Sequence, residues 1–156
     1  MRFKNITCES KDASTISVAY CFVGSLNVHE NYISLRYSLL KNETVDKLVL
    51  QVQLMRKVST WNPYLYAIKI DMCKFWKHRY NYLAKLIISF LDGHTNMNHS
   101  CPYKNETYLT IDNVTNIEVS EKIAHLPLPK GRYALHTTFQ ANNVTRAQTN
   151  IFFEMI

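Results

Sequence analysis

Alternation with a period of two limits the folds open to this chain more than any other feature of it. Ile33, Leu35, Tyr37 and Leu39 alternate with Ser34, Arg36 and Ser38, and Leu48, Leu50, Val52 and Leu54 alternate with Val49, Gln51 and Gln53. Successive side chains of a strand point to opposite faces, so each run reads as a strand with one face turned to a core. The polar stretch Lys41-Asn42-Glu43-Thr44 between them reads as a turn joining the two as a hairpin. Residues 3–9, 15–23, 64–70, 107–111, 132–140 and 145–155 are further strand segments, rich in β-branched and aromatic side chains. About eight antiparallel strands predict a mainly β, Ig-like sandwich, one domain over residues 1–156.

One segment departs from the pattern. Between Tyr80 and Leu91, Leu83, Leu86, Ile87, Phe90 and Leu91 recur at helical spacing, with Gly93 placed as a C-cap. This predicts one short helix, too apolar to stand free, lying against the edge or mouth of the sheets. The Ig hallmark of a Trp between two distant cysteines is met only in order, by Cys21, Trp61 and Cys73. Trp61 itself stands in Ser59-Thr60-Trp61-Asn62-Pro63, which reads as a turn.

Strand parity points Tyr37, Leu39, Leu50, Val52, Leu54, Leu135 and Phe139 inward, and the helix adds Leu83, Leu86, Ile87 and Phe90. These residues would line a pocket if the sheets splay, or fill a dry core if they close, and the pattern does not distinguish the two.

Six Asn-x-Ser/Thr acceptor sites, at Asn5, Asn42, Asn98, Asn105, Asn113 and Asn143, speak to compartment. Chance pairing of 14 Asn with 22 Ser and Thr in 156 positions gives about two. The excess predicts a glycosylated, secreted protein with all six asparagines on the surface. The N-terminus lacks the apolar run of a signal peptide, so the expectation is that such a peptide has been removed or truncated. Cys8, Cys21, Cys73 and Cys101 form an even set without metal-ligand spacing, which predicts two disulfides and no metal site. Three connectivities are open. Cys8 with Cys21 and Cys73 with Cys101 is preferred, because each bridge then closes a moderate loop.

The net charge of +6 favours anionic surfaces, yet no Lys/Arg block is long enough for a nucleic-acid tail. The six histidines are scattered, and neither His-Glu-x-x-His, Gly-x-Ser-x-Gly nor a Gly-rich phosphate loop occurs, so no enzyme and no cofactor is expected. Residues 73–80 interleave cations with aromatics. Lys74, Lys77 and Arg79 could meet lipid headgroups at a membrane surface, or the segment is a solvated turn whose Phe75 and Trp76 enter the core.

Three signatures occur in a fixed order: Asp71-Met72-Cys73-Lys74-Phe75, then Asn98-His99-Ser100-Cys101-Pro102-Tyr103, then Leu126-Pro127-Leu128-Pro129-Lys130-Gly131-Arg132-Tyr133. Together they resemble a large insect family of secreted proteins related to the ML lipid-recognition domains, whose relatives include the chemosensory CheB proteins and the ganglioside GM2 activator. The resemblance covers the chain from Phe3 to Phe153. It implies a β-cup holding an acyl chain or other apolar ligand, with its mouth beside the helix, and a Cys73–Cys101 bridge. It departs at Cys8, whose counterpart in the activator pairs near the C-terminus, where this chain has no cysteine; Cys21 must substitute, or Cys8 stays free. The expected function is therefore extracellular binding of a lipid or hydrophobic small molecule, in chemosensory or other transport. The alternative is a closed-core module that binds a receptor or glycan.

Overall fold

The computed structural model describes residues 1–78 and 81–156. Among them are eight strands: β1 (Arg2–Ser10), β2 (Ile16–Ser25), β3 (Asn31–Leu39), β4 (Leu48–Lys57), β5 (Trp61–Asp71), β6 (Tyr108–Thr115), β7 (Gly131–Ala141) and β8 (Val144–Met155). Three helices interrupt them, α1 (Met72–Lys77), α2 (Tyr82–Leu91) and α3 (Asn116–Ile123). The strands form a five-stranded sheet, ordered β1-β8-β7-β4-β5, facing a three-stranded sheet, ordered β2-β3-β6. Every pairing is antiparallel, which gives the expected sandwich.

All eight strand segments form, but the predicted β3–β4 hairpin does not. β3 pairs with β2 and β6, whereas β4 pairs with β5 and β7, so residues 40–47 cross from one sheet to the other. Period-two alternation reveals which face of a strand is apolar and is silent about its neighbour. Here the two apolar faces look at each other across the core. The crossing is held by a bridge between Val45 and Tyr103, and by Asn142, whose side chain accepts from Asp46 N at 3.0 Å and donates to Thr44 O at 3.1 Å. Asn142 and Asn143 form the two-residue β7–β8 turn with φ of 50° and 66°, the left-handed pair that matches strand twist and that Asn tolerates.

The prediction of one helix is corrected to three. The segment read as a turn at residues 73–80 is α1 as far as Lys77: Asp71 caps it by accepting from Lys74 N, and Met72 and Phe75 bury one face. α2 starts at Tyr82 behind its N-cap Asn81, and the expected start at Tyr80 lies outside the described residues. α3 opens on a capping box in which Thr115 and Glu118 each satisfy the other's backbone N–H, and it buries Val119 and Ile123. Trp61 begins β5, not a turn, and its ring meets Phe152 at 5.6 Å.

Sheets of five and three strands cannot cover one another. β1 and β2, consecutive in sequence and in opposite sheets, close one side of the sandwich, and the Cys8–Cys21 disulfide joins them there. On the other side β5 and β6 part, and α2 packs against both of them and against α3. The Cys73–Cys101 disulfide ties α1 to the loop ahead of β6. Both bridges follow the preferred connectivity, and no free cysteine remains among the described residues.

Candidate functional site: an apolar cavity between the sheets

Strands from both sheets turn their apolar faces to a common interior, and those faces leave part of it unfilled. They enclose a partly open cavity of about 210 Å³. Its walls come from β1, β3, β4, β6, β7 and β8 with Tyr66 of β5 and Met72 of α1, its side from α2 and α3, and Leu126 and Leu128 extend it before β7. Leu135, Phe139 and Ile151, on the central strands of the larger sheet, are only half-buried although they point into the sandwich. In a close-packed core such residues would be covered completely.

Of the eleven pocket residues expected from sequence, Tyr37, Leu50, Val52, Leu54, Leu83, Leu86, Ile87, Phe90, Leu135 and Phe139 line this cavity. Leu39 does not. Its parity is inward, but it sits at the end of β3, where it borders a second cavity of about 40 Å³. That smaller space shares Leu48, Met97, Leu109 and Phe139 with the large one. Its far wall is polar. Arg146, 6% exposed, pairs with Glu43 at 2.9 Å and Asp12 at 3.5 Å and donates to Ala141 O. Hydrogen bonds from Thr15 and Ser14, with the Arg146 charge, hold the Asp12 carboxyl below its ordinary pKa.

Among the described residues no charged side chain lines the large cavity. Its hydroxyl groups belong to Tyr37, Tyr66, Thr95, Thr137 and Thr149. Tyr37 reaches across from the smaller sheet, its hydroxyl 2.7 Å from Thr149 Oγ1 and 3.3 Å from Gln148 O. Burial pushes the Tyr37 phenol above its usual pKa, so it stays neutral. Thr149 stands directly opposite Thr137 in the β7–β8 ladder, so the two side chains share the inner face.

Sequence reasoning missed more than half of the lining. Ile33, Leu35 and Leu48 carry the same parity as residues already chosen, and Phe3, Ile151 and Phe153 follow the same rule on β1 and β8. Val119 and Ile123 required α3, whose signal was present as Thr115-x-x-Glu118. Thr137 and Thr149 carried no apolar signal at all.

The remaining sites fall on the surface. Lys74 and Lys77 are exposed on α1, whereas Phe75 is buried and Trp76 half-buried; Arg79 lies outside the described residues. Asn5, Asn42, Asn98, Asn105, Asn113 and Asn143 are all exposed. No group of three or more His, Cys, Asp or Glu able to hold a metal ion exists among the described residues, and no helix there is long and apolar enough to cross a membrane.

Residues 50–135 match the family described as Protein of unknown function (DUF1091). No curated protein matches the chain.

Proposed function

The chain belongs to the DUF1091 family of proteins of unknown function, and we propose that it binds a lipid or other hydrophobic small molecule between its two sheets. The cavity of about 210 Å³, apolar on nearly every side, carries this reading. An empty apolar space costs dispersion contacts along its whole lining, and a ligand restores them. A benzene-sized guest fits an engineered apolar cavity of about 150 Å³, so this one has room for roughly eight or nine carbon atoms.

The setting we propose is extracellular. Six exposed acceptor asparagines and two disulfides support secretion and N-glycosylation. The cup with a helix at its parted side supports the relation to ML lipid-recognition domains, and with it a chemosensory or other transport role. Lys74 and Lys77, exposed near the α2 side, would meet anionic headgroups during transfer at a membrane surface.

The alternative, a module that binds a receptor or glycan, has one observation in its favour. The outer face of the smaller sheet carries Phe22, 44% exposed, with its ring 5.9 Å from Tyr20 and 6.1 Å from Tyr32. Arg36 lies there between the rings of Tyr20 and Tyr108. Titration of folded, secreted protein with an apolar fluorescent dye decides between the two. The lipid reading expects saturable binding to one site at micromolar concentration, abolished by Val52→Arg, which puts an unpaired charge into the cavity. A folded wild type that takes up neither dye nor any amphiphile returns the protein to the interaction class.

A further inference from the structure

We propose that the cavity selects a neutral ligand bearing a single oxygen function, an alcohol, ester or carbonyl on a hydrocarbon body, with Thr137 Oγ1 as the group that recognises that oxygen. The inference rests on the cavity being a ligand site, and it names the ligand's chemistry.

Hydroxyl groups in the floor carry the argument. Tyr37 and Thr149 satisfy each other at 2.7 Å across the gap between the sheets, and Thr95 Oγ1 accepts from Met97 N at 3.3 Å. Thr137 and Tyr66 make no such bond through their hydroxyls among the described residues, and Tyr66 stands on the edge strand β5. Thr137 stands on the inner strand β7, opposite Thr149 on the same inner face. Its neighbour across β4 is Val52, which offers nothing polar. A hydroxyl can donate and accept at once, so Thr137 presents both capacities to whatever fills the space.

Charge settles the rest. A carboxylate or phosphate inside would be desolvated with no cationic side chain on the cavity wall to meet it, and the Met1 ammonium is engaged by Ser120 Oγ at 3.1 Å; that arrangement is far more costly than an unpaired neutral group. A pure hydrocarbon would fill the space and leave Thr137 without a partner. A hydroxyl, ester or carbonyl oxygen beside Thr137 avoids both penalties. Polar sites reject analogues lacking the matching group more sharply than apolar walls reject a change of shape.

The test compares three eight-carbon probes, octane, 1-octanol and octanoate at pH 7.4, as competitors of an apolar fluorescent dye. They are measured on wild type, Thr137→Val and Tyr66→Phe. Valine is nearly isosteric with threonine, and thermal melting verifies that each variant is folded. Wild type should bind octanol at least tenfold more tightly than octanoate. Thr137→Val should weaken octanol about fivefold, the worth of one neutral hydrogen bond, and leave octane unchanged or tighter. Tyr66→Phe removes another lining hydroxyl and should cost octanol less than Thr137→Val does. Equal effects of Thr137→Val on octanol and octane, octanoate bound as well as octanol, or the octanol loss moving to Tyr66→Phe would each overturn the assignment while dye binding persists. Failure of the dye and all three probes to bind wild type would instead overturn the ligand site itself.

Discussion

Removal of the Cys73–Cys101 disulfide tests the account of how the parted side of the sandwich is held. The bridge spans 28 residues of chain, from α1 through α2 to the loop before β6, and Cys8–Cys21 spans 13. In the chain-entropy treatment, closing these loops stabilises the fold by about 3.6 and about 2.9 kcal/mol at 25 °C, a difference of about 0.7 kcal/mol that comes only from loop length. The double variant Cys73→Ser/Cys101→Ser should therefore lose more stability than Cys8→Ser/Cys21→Ser. Serine leaves the packing almost intact, and neither variant strands a free thiol. Urea denaturation followed by circular dichroism measures both losses, with the slope showing whether unfolding remains cooperative. The location of the loss adds a second readout. β1 and β2 still close their side by strand contacts without a bridge, whereas α1 is a helix of only six residues packed on β4 and β5. Hydrogen exchange should rise in 72–101 for the first variant and stay near wild type in β1 and β2. A loss below about 1 kcal/mol for Cys73→Ser/Cys101→Ser, or the reverse ranking with intact cooperativity, would refute the reasoning.

Three more expectations follow from packing and titration. Ile70, fully buried and away from the cavity, should cost about 2–5 kcal/mol on truncation to Ala, and Leu86→Ala should fall below it because its lost contacts already border empty space; equal losses in urea denaturation would mean a closed core. Thr115→Ala should destabilise unglycosylated protein by about 1 kcal/mol through loss of the α3 cap while Thr115→Ser does not, and indistinguishable midpoints for the two would discount the capping box. Burial lowers the His136 pKa below its ordinary 6.5, so the unfolded chain takes up a proton that the folded one resists. The stability tied to His136 is then complete above pH 6.5 and falls as pH drops through the folded pKa; a stability–pH profile of His136→Gln that keeps the wild-type slope there would show the site to be irrelevant.

What the sequence made legible follows from the reach of local patterns. Strands announce themselves because burying one face imposes alternation on the residues themselves, and all eight segments were readable for that reason. Partnership between strands is a property of two distant segments, so the 40–47 crossing passed for a hairpin. α1 is too short for a 3.6-residue period to rise above chance, and only its Asp71 cap hints at it. Leu39 shows the limit of parity: it gives the face of a strand and not the depth along it at which the cavity ends. Thr137 and Thr149 show the opposite failure, since polar residues on an inner face read as solvent-facing until the strand's other residues fix its orientation.

The sandwich is bound like a book, with a covalent spine at β1 and β2 and a fore-edge at β5 and β6 where the covers stand apart. Nothing along the spine can open without breaking a disulfide or strand contacts, yet α2 at the fore-edge is held to α3 by Lys122 donating to Ser89 O, and to the segment just after α3 by Tyr82 against His125. Under the proposed ligand role, traffic to the interior would then be separate from the integrity of the fold. Substitutions along α2 would change which molecule enters and how long it stays, while the eight strands keep their register.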